Sequence, residues 1–206
     1  STDNYFENYL TGSCDASDIV CEARDNMYII KTLNTDRLSF TLTVKRQEER
    51  KLIDIIKDFT NYFDYIFVDF PPSSSRLSEV LLDISDKILL IIGLDTLGLD
   101  GYLNTIQYFV DTDIDLGKIK YIIPTGYHPI KLAPNKALKE LKKQASTYTP
   151  EAKLTIPVSD KSIVRNLQAD GVSVFDQAEM PSKFHQKNRD EFKKELKKMF
   201  DELNLD

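Results

Sequence analysis

Short unbroken apolar runs alternate along this chain with longer stretches whose apolar residues recur at helical spacing. The runs are Asn26-Met27-Tyr28-Ile29-Ile30, Tyr65-Ile66-Phe67-Val68-Asp69, Lys87 to Gly93, Lys120-Tyr121-Ile122-Ile123-Pro124 and Lys153-Leu154-Thr155-Ile156-Pro157. Each reads as a strand. Leu52, Ile53, Ile55, Ile56, Phe59 and Phe63 predict a helix across about 44–62, and further helices are expected at Arg76 to Ile84, Leu97 to Val110 and Asn135 to Ala145. Ser162 is expected to cap another that ends near Asp170-Gly171, and the last spans about Pro181 to Leu203. At the front, Asp3 caps a short helix from Asn4 to Leu10 that stops at Gly12, and Ser17 or Asp18 opens a second. Short strands alternating with helices predict βαβ units: an α/β fold with a mostly parallel sheet and helices on both faces. The expectation is one domain over residues 1–206. Right-handed crossovers would bring Asp69, Thr125 and Pro157, at the ends of their strands, to one rim.

Composition narrows the class. Hydrophobic content of 41% and charged content of 29% fit an ordinary globular protein. No apolar run approaches the roughly 20 residues that span a bilayer. Cys14 and Cys21 read as free thiols, with neither zinc-ribbon spacing nor a disulfide framework. The net charge of −6 hides an asymmetry: residues 1–117 carry −11, residues 118–165 carry +7 and residues 166–206 carry −2. A basic segment on an acidic chain suits a polyanionic partner. Lys136, Lys139 and Lys143 share one helical face, with Lys131, Lys142, Lys161 and Arg165 nearby. His128 and His185 have no Cys or acid at ligand spacing, and there is no nucleophile elbow.

The sharpest chemical signal is Asp69. It ends a hydrophobic strand pattern that Pro71 and Pro72 then terminate, and a buried carboxylate there needs water, hydrogen bonds or a cation. Asp69-Phe70-Pro71-Pro72-Ser73 and the helix and strand patterns after it resemble the Walker B region of the ParA/MinD family of deviant-Walker P-loop ATPases. Leu94-Asp95-Thr96-Leu97-Gly98-Leu99-Asp100-Gly101 is similar to that family's strand-to-helix loop, and Ile156-Pro157-Val158 through Asp176 to its "Ile-Pro … Ala-x-x-x-Gly" region. The resemblance implies that Asp69 helps hold magnesium through water and that Pro71, Pro72 and Ser73 form a switch-like loop. It also implies an adenine site at Thr125, Gly126, Pro157 and Val158.

One family motif is absent: no Gly-x-x-x-x-Gly-Lys-Ser/Thr occurs in these 206 residues. The expectation is a sheet without its first strands, roughly 40–50 residues having preceded Ser1, two βα units' worth. A catalytically dead relative acting as a protein-binding adaptor is the alternative. By resemblance to ParA-type partition proteins, the intact molecule would bind ATP and Mg2+ and form a homodimer across the nucleotides. It would coat DNA without sequence preference in the cytoplasm and nucleoid. A ParB-like centromere-binding partner would stimulate its hydrolysis and so move plasmid or chromosome cargo. The DNA-contacting residues, Lys131, Lys136, Lys139, Lys142, Lys143, Lys161 and Arg165, are named on charge alone. MinD relatives instead end in a helix that inserts into membrane. Here Phe192, Leu196, Met199, Phe200 and Leu203 form an apolar stripe, but the polar face mixes signs, so core packing and no membrane partner are expected.

Overall fold

The computed structural model describes residues 4–70, 75–176 and 180–205, which form two compact units dividing after Ser85. The first unit comprises α1 (Phe6–Leu10), α2 (Ala16–Ile19), β1 (Val20–Arg24), β2 (Met27–Ile30), α3 (Thr35–Val44), α4 (Arg46–Phe59) and α5 (Arg76–Ile84). Its core joins Phe6, Leu10, Ile19, Leu38, Leu42, Leu52, Phe59 and Val80. β1 and β2 form an antiparallel hairpin that turns at Asn26, whose φ of 58° suits an asparagine. Only the second of these strands is legible in the sequence. The Glu7 carboxylate ties α1 to the start of α3 by accepting from the Leu33 and Asn34 amides at 3.1 and 2.8 Å.

One further element has no counterpart among the sequence-based expectations, and one expected strand is missing. α3 is a helix over residues to which they assign no element; Asn34 accepts from the Arg37 amide to start it, and Leu38 and Leu42 bury one turn apart. Residues 65–70 make no strand, and Phe67 is 74% exposed. A strand exists only through a ladder, and among the described residues of this unit β1 and β2 pair with each other. Pro71, Pro72 and Ser73 lie outside the described residues.

The second unit holds the parallel sheet. It contains β3 (Ile88–Gly93), α6 (Thr96–Asp111), β4 (Ile119–Tyr127), α7 (Leu132–Tyr148), β5 (Lys153–Leu154), β6 (Val158–Ser159), α8 (Ser162–Ala169) and α9 (Lys183–Phe200). β4 is the hub, paired in parallel with β3, β5 and β6. The fifth apolar run is broken rather than continuous: Pro157, which has no amide to give, separates β5 from β6. Ile123, Val158, Ile163, Leu167, Val174, Phe192 and Met199 form one core cluster, with Leu196 and Leu203 packed against it. The stripe of α9 is thus core, except that Phe200 stays 48% exposed.

Tyr102 of α6 is completely buried and hydrogen-bonds the Thr149 hydroxyl at 2.8 Å. Burial pushes its phenol above the ordinary tyrosine value of 10.0. The folded state therefore keeps the proton longer than the unfolded chain, and stability declines as pH climbs past about 10. Tyr102→Phe should cost about 1 kcal/mol at neutral pH and flatten that alkaline decline, as read by denaturant titration at pH 7 and above 10.

Candidate functional site

Three segments meet at the C-terminal end of the parallel strands. β3 and β4 run in register to Gly93 and Thr125, and the Leu94 amide then donates to the Thr125 carbonyl at 2.9 Å. On the other side of β4, Thr125 registers with Val158 and Tyr127 with Ser159. Thr125, Gly126, Pro157 and Val158 are therefore brought to one rim, where open α/β sheets bind ligands. Gly126 adopts a φ of +75° and is exposed; a Cβ there would meet nothing nearer than the Leu94 nitrogen at 4.0 Å. A planar group can approach that backbone without a side chain in the way. The residues fit the base end of a nucleotide.

The turn after β3 is built on tight packing. Asp95 caps α6 by accepting from the Gly98 amide at 2.7 Å. Gly98 lies so close to Gly93 that an added Cβ would sit 2.0 Å from the Gly93 carbonyl oxygen. This turn carries the Leu94 amide to Thr125.

The loop leading to β6 has a nearly complete account of its amides. Thr155 donates to the Ile122 carbonyl at 3.0 Å, and Asp160 to the Tyr127 carbonyl at 3.3 Å. Ile156 donates to Glu202 Oε2 at 2.9 Å, while Ser159 donates its amide to Glu195 Oε1 and its hydroxyl to Glu195 Oε2 at 2.8 Å. Two carboxylates from the C-terminal region thus take the amides that β4 does not. Sequence reasoning missed both acids. Glu195 stands 36 residues from Ser159, on a helix whose charges read as a solvated face.

Asp69 belongs to the first unit, where it is exposed in the irregular segment after α4. Among the described residues no group of three His, Cys, Asp or Glu side chains could hold a metal ion. Lys131, at the entry to α7, and Lys136, Lys139, Lys142 and Lys143 along it are all exposed. Lys161 lies 3.9 Å from Glu191 Oε2, and Arg165 is 3.1 Å from Asp160, so carboxylates offset those two charges. His128 accepts from the Ile130 amide at 3.4 Å, and His185 pairs with Ser182 at 2.8 Å.

A family profile described as "AAA domain" matches residues 2–117, more than half of the chain. No curated protein matches. Among solved structures, apo McdA from Cyanothece superposes with a TM-score of 0.67 at 17% identity, covering 95% of this chain and 79% of that one. An ATP complex of a Cyanothece McdA variant superposes with a TM-score of 0.69 at 16% identity, covering 96% and 76%. At these identities the likeness shows the fold. No helix of the described residues is long and apolar enough to cross a membrane.

Proposed function

The chain belongs to this AAA domain family of ParA/MinD-type P-loop ATPases, and we propose on that premise that the intact protein is a partition-type ATPase that binds ATP and polymeric DNA. The observation that carries the nucleotide reading is the junction at the sheet rim, where Leu94, Thr125 and Val158 are locked side by side. Thr125 and Gly126 would border one side of the base, and Pro157 and Val158 the other. By the same family resemblance, Asp69 would orient water around magnesium. Bound magnesium would supply charge neutralisation between the phosphates. The phosphate-cradling lysine and amides characteristic of such enzymes are not encoded in these residues.

The exposed lysines of α7 support the DNA reading, since contacts to phosphate alone need positive charge and no base-reading geometry. ATP-dependent dimerisation and stimulation by a centromere-binding partner complete the proposal. It is tested by the salt dependence of DNA binding in the presence of ATP. Replacing Lys139 and Lys143 together by alanine should lower the slope of log K against log salt by about two, near 0.9 per lost phosphate contact. An unchanged slope would remove α7 from the interface. The absence of salt-sensitive, ATP-requiring DNA binding would favour the catalytically dead, protein-binding adaptor instead.

A further inference from the structure

Edge strands in parallel sheets leave outward amides that must find acceptors. Here those of Ile156 and Ser159 are taken by carboxylates of Glu202 and Glu195, which come from the C-terminal helix region rather than from another strand. Glu202 doubles the attachment through its backbone, whose carbonyl accepts from Lys153 Nζ at 2.8 Å. Asn204 adds a third tie: its carbonyl accepts from Lys87 Nζ and from the Tyr121 hydroxyl, each at 3.0 Å. Apolar packing of Phe192 and Met199, both 5% exposed, holds α9 beneath the same loop. Between the two carboxylate anchors lie only Pro157 and Val158, the residues proposed to face the nucleobase. Proline cannot adjust its φ, and Val158 is fixed by its register with Thr125. The position of this loop is therefore set from α9 at its Ser159 end and from the turn after α9 at its Ile156 end.

We propose that Glu195 is a positioning residue for nucleobase discrimination: by accepting both the amide and the hydroxyl of Ser159, it fixes where the Pro157–Val158 backbone meets the purine edge. The inference rests on the nucleotide reading above and adds the residue that gives the site its selectivity. The Ser159 amide can only donate, and the carboxylate makes both of its bonds to Ser159 charge-assisted. A glutamine keeps the volume and can still pair with both groups, since a hydroxyl also accepts, but only through weaker neutral bonds. Selectivity for one purine over another depends on the placement of such edge contacts, and mispositioning them erodes a ratio more than an overall affinity.

The experiment is competitive binding of ATP and GTP to the intact protein, comparing the wild type with Glu195→Gln, Ser159→Ala and the double variant, with thermal melting alongside. The expected result is a fall of about tenfold in the ATP-over-GTP ratio for Glu195→Gln at a nearly unchanged melting temperature. Ser159→Ala should give a smaller fall, and the double variant should not exceed Glu195→Gln alone. A loss of stability that weakens both nucleotides equally would make Glu195 a structural edge cap and overturn the proposal. So would an unchanged ratio. A wild type that binds neither nucleotide would instead overturn the nucleotide reading itself, so the two failures are distinguishable.

Discussion

Gly98→Ala should destabilise the second unit by about 3 kcal/mol, where alanine in a helix would ordinarily add up to about 1 kcal/mol. The reason is steric and local. The new methyl would sit 2.0 Å from the Gly93 carbonyl oxygen, 2.7 Å from its carbon and 2.9 Å from its Cα. All three are backbone atoms, so no side-chain rotation relieves the clash; either α6 must withdraw or β3 must bend. Gly101, one turn further along α6, is the internal control: it is exposed, and a methyl there meets nothing within 4 Å. Gly101→Ala should therefore be neutral or gain up to about 1 kcal/mol. The check is urea denaturation of the three proteins. A Gly98→Ala protein as stable as the wild type would mean that the Gly93–Gly98 approach is looser than described. The same substitution should weaken nucleotide binding beyond its effect on folding, because the displaced turn carries the amide that Leu94 gives to Thr125.

Where periodicity, cap and burial agreed, the chain was readable residue by residue. α5 runs over Arg76–Ile84 as predicted because Ser75 accepts from the Ser78 amide at its start and Ser85 leaves helical conformation at its end. β3 and β4 were legible because each carries an unbroken apolar run; in β4 burial of Ile119 and of Tyr121 to Pro124 accounts for it, while β3 keeps the pattern although Ile91 is 70% exposed. Legibility failed where pairing decides. Val20 to Arg24 becomes a strand only because β2 folds back on it, and its Cys, Glu, Ala and Arg carry no strand signal of their own. Conversely, residues 65–68 have the composition of a strand and none of the ladder. The rim at Thr125-Gly126 and Ile156-Pro157 was visible, because glycine and proline mark where a strand must turn. Its support was not, since a glutamate on a lysine-rich helix looks the same whether it faces solvent or Ser159.

Replacing Asp69 by asparagine should lower magnesium-dependent ATP turnover of the intact protein by about 100-fold, the scale on which removal of a single electrostatic group in a catalytic site is felt. Asparagine keeps the shape and removes the charge, so the effect reports what the carboxylate does to charge at the phosphates rather than how it packs. Packing has little to lose here, because Asp69 is exposed. Binding of ATP without magnesium should be unchanged, since the base end is assigned to Thr125, Gly126, Pro157 and Val158. Asp64→Asn supplies the comparison: this acid is also exposed, lies five residues earlier and has no assigned part, so its turnover should stay near that of the wild type. If both variants retain turnover within about twofold, Asp69 is a surface acid in the segment after α4, and its magnesium assignment fails while the base-end assignment stands. If Asp69→Asn alone loses turnover and keeps ATP over GTP, while Glu195→Gln loses the preference and keeps turnover, the chemistry divides between two regions of the chain. Residues 1–85 would then carry the acid that serves hydrolysis, and residues 86–206 the rim that reads the base.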